Sequence, residues 1–133
     1  MKVFFADAYY FVARINQDDQ YHDRVIEFSK TMRANIVTTD WVLMEVADAL
    51  AGSEVRDQLR EYFLYLRSLP NCEVLEASRD LFDRALTFFH RHTDKDWSLT
   101  DCTSFIVMRD LGIKEALTGD KHFEQAGFVA LLK

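Results

Sequence analysis

Two spacings of apolar residues alternate along the chain. Short apolar or β-branched runs of strand length occur at KVFFA (2–6), NIVTT (35–39), NCEVLEA (71–77), KEALTGD (114–120) and FVALL (128–132). Longer segments with helical spacing lie between them. DAYYFVARIN (7–16) is largely apolar, and DDQYHDRVIEFSKTMRA (18–34) carries Tyr21, Val25, Ile26 and Met32 at helical intervals. WVLMEVADALA (41–51) follows Asp40, the expected N-cap. SEVRDQLREYFLYLRSL (53–69) reads as an amphipathic helix with Val55, Leu59, Tyr62, Phe63, Leu66 and Leu69 on one broad face. SRDLFDRALTFFHRH (78–92) is another, with Leu81, Phe82, Ala85, Leu86 and Phe89 inward. SLTDCTSFIVMRDLG (98–112) opens on a capping-box pattern, Ser98 followed three positions later by Asp101, and closes on Gly112.

This alternation predicts a single α/β domain over residues 1–133, built on a largely parallel sheet covered on both faces. No internal repeat, low-complexity tract or linker interrupts it. The composition agrees, since 49% of residues are hydrophobic and 14% aromatic, enough for one sizeable core. A lone proline, Pro70, fits long helices and few elaborate loops. Cys72 and Cys102 supply neither a disulfide framework nor a zinc site, and suit a reducing compartment. The opening MKVFFADAYYFVARI is broken by Asp7 and shows no cleavage site, and no run approaches membrane-spanning length. A cytoplasmic protein without membrane contact is expected.

The formal net charge of -6 sets a sharper limit. A protein that grips nucleic acid through its phosphates usually presents a positive face, so any such role here must rest on a local site. The one conspicuous cationic cluster is HRHTDK (90–95), which also reads as a solvated helix C-terminus.

Attention therefore shifts to the acids. Asp7 and Asp120 close predicted strands, the end of an open α/β sheet where crevices form. A carboxylate in so apolar a setting as VFFADAYYFV is costly to bury unless paired, protonated or metal-bound; capping the next helix is the structural alternative. Asp120 sits in a Gly-Asp pair that is also ordinary turn chemistry, with the Thr118 hydroxyl toward the same strand end. Glu45 interrupts the apolar WVLMEVADAL and borders its apolar stripe, whereas Asp48 reads as solvated. Asp101 suits a first helical turn, where the dipole favours an acid. If all four converge, their mutual repulsion calls for a divalent cation. Hard oxygen ligands without cysteine or a histidine pair suit Mg2+ or Mn2+.

Four stretches, VFFADAYYFVA, TTDWVLMEVADAL, WSLTDCTSFIVM and ALTGDKHFEQAGF, together resemble the PIN-domain ribonucleases, and among them the single-domain VapC-type toxins of toxin–antitoxin pairs. The resemblance covers essentially the whole chain. It implies a PIN-like α/β fold with a parallel sheet of four or five strands and helices on both faces. It implies an acidic quartet at Asp7, Glu45, Asp101 and Asp120, with Thr118 at an accessory hydroxyl position. Asp96 is a peripheral candidate, either a fifth metal-site acid or merely solvated. The implied activity is metal-dependent hydrolysis of RNA by an activated water, with an antitoxin protein as partner. A homodimer is expected too, because Leu64 and Tyr65 widen the apolar face of segment 53–69 beyond what one sheet face must cover.

Three other readings compete. A receiver-like phosphorylation switch needs an adjacent acid pair after the first strand, but Asp7 is followed by Ala8. A PIN-like binding module without chemistry has no need of four intact acids. A PIN nuclease of housekeeping RNA processing, with no antitoxin, shares every residue-level feature.

Overall fold

The computed structural model describes residues Lys2–Lys133. Five strands, β1 (Lys2–Ala6), β2 (Ala34–Thr39), β3 (Cys72–Leu75), β4 (Glu115–Leu117) and β5 (Val129–Ala130), form one sheet in the order β3-β2-β1-β4-β5. Every pairing is parallel. Phe4 lies opposite Ile36 on one side of β1, and Phe5 opposite Ala116 on the other. The central strand is buried at Phe4, Phe5 and Ala6 in succession, with no alternation, because helices cover both faces of the sheet.

Those helices are α1 (Ala8–Ile15), α2 (His22–Thr31), α3 (Asp40–Ala49), α4 (Leu59–Ser68), α5 (Arg79–Arg91), α6 (Leu99–Leu111) and α7 (Lys121–Gln125). Helix α1 packs on α2 and α3, α5 packs on α6, and α3 also meets α6. Phe105 of α6 anchors the core. Its ring meets Trp97 and Phe123 edge-on, at centroid distances of 5.1 and 5.0 Å.

The five strands and the α/β fold with a parallel sheet are found as expected, with four local differences. The helix expected over 53–69 begins only at Leu59, after turns and a short 3-10 segment, Arg56–Gln58. Its buried residues are Leu59 and Leu66, while Leu64 and Tyr65 face solvent. Thr39, rather than Asp40, caps α3, accepting the Val42 N–H at 3.1 Å. Helix α5 is rotated from the expected phase: Ala85 and Phe88 are buried, whereas Leu86 and Phe89 are exposed. Leu81, Ala85, Phe88 and His92 then form a continuous inward stripe, and His92 and Trp97 both lie against the Phe88 ring. Finally, the short α7 stands between β4 and β5 where sequence reading placed only a connection.

Candidate active site

The chain runs from β1 outward through β2 to β3, then crosses back to β4 on the other side of β1. The reversal of strand order falls between β1 and β4, and the carboxyl ends there form the crevice typical of open parallel sheets. Asp7 leaves β1 at this point and Thr118 leaves β4. The Asp7 N–H reaches the Leu117 carbonyl at 3.4 Å, and the Thr118 hydroxyl donates to Asp7 Oδ2 at 2.9 Å. Asp7 is only 5% exposed and Thr118 is fully buried. Asp7 occupies the N-cap position of α1 without making a side-chain cap hydrogen bond. Its carboxylate is turned to Thr118 instead.

Asp101 and Asp120 are each fixed by a helix start. The Ser98 hydroxyl accepts the Asp101 N–H at 3.0 Å, and Asp101 Oδ2 accepts the Ser98 N–H at 3.1 Å, a complete capping box. Asp120 caps α7, its Oδ1 accepting the His122 N–H at 2.9 Å, while its own N–H donates to the Thr118 hydroxyl at 3.1 Å. His122 then bridges the two acids. Its Nδ1 lies 3.0 Å from Asp101 Oδ2 and 3.5 Å from Asp120 Oδ1, so with Asp101 ionised this nitrogen donates.

A common pattern emerges. In Asp7, Asp101 and Asp120 one carboxylate oxygen is held by protein donors. The other, Oδ1 of Asp7, Oδ1 of Asp101 and Oδ2 of Asp120, has no protein hydrogen bond among the described residues. Capping and ligation need not compete, because they use different oxygens of the same group. Glu45, half-buried on α3, has neither oxygen engaged by a protein donor among the described residues.

The electrostatics follow from this crowding. Burial, foremost, lifts the Asp7 carboxyl from 3.8 to about 7; the Thr118 hydroxyl opposes the rise and the charges of Glu45 and Asp101 add to it. Burial likewise raises Glu45, helped by Asp101, Asp120 and Asp48. Asp101 is raised by burial too, against the opposing pull of the Ser98 N–H and His122. No lysine or arginine pairs with any of these four acids among the described residues. A cluster of hard oxygens with no lysine or arginine beside it among the described residues has the donor chemistry of a magnesium or manganese site.

All four acids named from sequence thus act on one another, and Thr118 ties two of them together. The tightest group is Asp101, Asp120 and His122, which offer one ligand atom each within 4.8 Å of one another; Asp7 and Glu45 stand outside that group. Asp96 is exposed and joins none of the hydrogen bonds that hold the cluster. Sequence reading missed His122. Its only signal was its place two residues after a strand-end aspartate, where the first turn of α7 returns it to the crevice.

No helix among the described residues is long and apolar enough to cross a membrane. Comparison with known proteins bears on the same arrangement. Over 56 residues the chain is 41% identical to the 23S rRNA-specific endonuclease VapC20 of Mycobacterium tuberculosis (strain CDC 1551 / Oshkosh), a match spanning 42% of this chain and 43% of that relative. The crystal structure of Mycobacterium tuberculosis VapC20, described as a Sarcin-Ricin loop cleaving toxin, superposes with a TM-score of 0.86 at 26% identity, covering 98% of each chain. VapBC2 from Rickettsia felis, solved bound to a DNA fragment from its promoter, shares the fold at a TM-score of 0.61 and 14% identity, over 96% of each chain. The PIN domain family model matches residues 4–129, nearly the whole chain with both ends of the carboxylate cluster inside the match, and the chain belongs to the PIN domain family.

Proposed function

We propose that the protein is a divalent-metal-dependent endoribonuclease and the toxin of a type II toxin–antitoxin pair. The observation that carries this reading is the convergence of Asp7, Glu45, Asp101 and Asp120 on one crevice, three of them with one oxygen anchored and one free. The likeness to VapC20 supports it.

Asp7, Glu45, Asp101 and Asp120 would hold the ion, with Thr118 fixing the rotamer of Asp7. Mg2+ or Mn2+ bound there would supply the positive charge the acids lack and would lower the pKa of a bound water, making its hydroxide form available as the nucleophile. The chain's own part is positional. Asp7, buried at the end of the central strand, is held on a rigid element, and the capping box gives Asp101 the same fixity. In-line attack by water leaves a 5′-phosphate and a 3′-hydroxyl. The exposed Leu64 and Tyr65 of α4 form the face proposed for a homodimer. An antitoxin would shield the acidic crevice by presenting an arginine to its carboxylates.

The test is purified protein incubated with total RNA and Mn2+, with cleavage ends mapped. The ribosomal RNA loop cut by VapC20 is the first defined substrate to try. Metal-dependent internal cuts with 5′-phosphate ends are expected. Activity unchanged by chelator, or by Asp7→Asn, would overturn the mechanism. Light scattering tests the dimer, and a monomeric mass at high micromolar concentration would refute it.

A further inference from the structure

An acidic nuclease must hold an acidic polymer, and phosphate attraction is a poor means for a chain of net charge -6. The crevice offers another. Tyr9, in the first turn of α1 two residues after Asp7, stacks on Tyr21 with ring centroids 5.2 Å apart and planes 29° from parallel. The Tyr9 ring presses on the turn that carries Asp120. A Cβ built on Gly119 would lie 2.6 Å from Tyr9 Cζ and 2.7 Å from its hydroxyl oxygen, so only glycine leaves room for the ring. The aromatic pair therefore abuts the backbone between Thr118 and Asp120, at the mouth of the crevice.

Tyr9 packs against the core from a partly buried position, but the Tyr21 ring does no work in capping its helix. Tyr21 occupies the N-cap position of α2, where Ser or Asp serves best, and makes no side-chain cap hydrogen bond there. It is 37% exposed. Neither phenol hydroxyl has a protein hydrogen-bond partner among the described residues. Yet the segment presenting Tyr21 is firmly held. The Tyr21 N–H donates to Asp19 Oδ1 at 2.8 Å, the Asp18 N–H to Asn16 Oδ1 at 3.1 Å, and His22 Nδ1 lies 2.7 Å from the Ala13 carbonyl. The ring is preset before any ligand arrives. Arg24, one turn further along α2, is close enough to act on the Tyr9 hydroxyl, and its guanidinium donates to the Lys133 carbonyl oxygen.

We propose that Tyr21, backed by Tyr9, is a stacking platform for an unpaired nucleobase of the RNA, next to the scissile phosphate. Base stacking on an aromatic ring does not depend on net protein charge, and it selects single-stranded or splayed-out nucleotides over helical ones. The inference rests on the nuclease reading, and specifies which part of an RNA that site accepts.

The test uses a short single-stranded RNA containing 2-aminopurine, whose fluorescence falls when it stacks. Binding is measured with Mg2+ in the cleavage-deficient Asp7→Asn protein. Adding Tyr21→Ala should weaken binding by about 10-fold or more and remove the quenching, whereas Tyr21→Trp should keep both. A fully paired duplex of the same sequence should show little dependence on residue 21. Wild-type-like affinity and quenching in Tyr21→Ala would overturn the platform, as would equal losses on duplex and single strand. The two readings fail separately. Cleavage of total RNA by an otherwise wild-type Tyr21→Ala protein at the full rate sinks the platform and leaves the nuclease. Tyr21-dependent quenching in a wild-type protein that cuts no RNA sinks the nuclease and leaves the platform.

Discussion

Helices α3 and α6 begin alike and end up doing different things. A hydroxyl caps each one, Thr39 for α3 and Ser98 for α6, and an aspartate follows in the first turn. The dipole accounts for an acid at both places. Asp40 is then answered in full. It accepts the Ala77 N–H at 3.0 Å and lies 3.6 Å from Arg67, in a partly open position. Asp101 is 7% exposed, has His122 as its only basic neighbour among the described residues, and shares its surroundings with Glu45, Asp7 and Asp120. The helix start explains why an acid is tolerated. What surrounds it decides whether the acid is structural or is left with unmet demand for positive charge.

The largest effect should separate the two heads outright. On the nuclease reading, Asp101→Asn and Asp7→Asn each remove a ligand charge with little change in volume. Cleavage should fall on the order of 10²–10³-fold or more, equivalent to several kcal/mol in the barrier. Asp40→Asn should cut RNA at the wild-type rate. An Asp40 variant as impaired as the Asp101 variant would collapse the distinction.

The next effect is on stability. Burial pushes the Asp7 carboxyl up from its ordinary 3.8 to about 7 in the folded metal-free protein, so between those values the folded state keeps a proton that the unfolded state has lost. Stability in chelator should therefore be fully retained near pH 4 and decline as pH rises through 7, by an amount on the order of 4 kcal/mol for this group alone. Glu45 and Asp101, also raised, push in the same direction. Asp110, held low by Arg84, contributes oppositely and only at more acid pH. Thermal melts with and without Mn2+ between pH 5 and 8 measure this. The metal should flatten the decline by binding the folded state, and Asp7→Asn should remove much of it. Asp120→Asn should raise the metal-free melting temperature, because it relieves repulsion while an amide oxygen can still cap α7. A metal-free melting temperature that climbs steadily from pH 5 to 8 would contradict the crowded cluster.

The contrast between the two heads also marks what sequence alone could reach. Asp7 and Asp120 were legible because strand ends are legible, and Asp101 because Ser98 stands three residues before it. Identifying the cap of α3 was harder. Thr39 and Asp40 are adjacent capping residues, and only the helix phase chooses between them. Phase also misled in α5, where Phe88 and Phe89 are consecutive and either can complete an apolar stripe; the Trp97 and His92 rings against Phe88 settle it through tertiary packing. Helix α7 has five residues, too few for any period to show, and His122 was hidden with it. The helix expected from Ser53 starts late because an apolar pattern continues through a turn that it cannot distinguish from a helix.

A smaller effect concerns the bridge between the two acids. His122 touches no reacting atom on the present reading; it positions Asp101 and Asp120. His122→Ala should weaken Mn2+ binding by roughly 10–100-fold, the range found for groups that orient metal ligands. His122→Asn, whose amide nitrogen can stand near the place of Nδ1, should recover much of that loss. Calorimetric Mn2+ titrations of the three proteins decide the matter apart from activity. Equal affinities in all three would make the histidine incidental.

The smallest expected effect falls on Asp40, and it sharpens the comparison from the structural side. Asp40→Ala removes the acceptor of the Ala77 N–H and the partner of Arg67, joining the start of α3 to the segment that leads into α5. Arg67 is 58% exposed, so its share of the ion pair is small and screened by salt. The hydrogen bond to Ala77 should dominate, at about 1 kcal/mol. Thr39 still caps the helix, so α3 should stay intact and Glu45 should keep its place. Denaturant melts should thus show a modest loss that barely changes with 0.5–1 M salt, and Mn2+ affinity equal to wild type. A loss of stability with weakened Mn2+ binding would mean that the head of α3 supports the crevice through Glu45, and that the two helix starts differ less than their surroundings suggest.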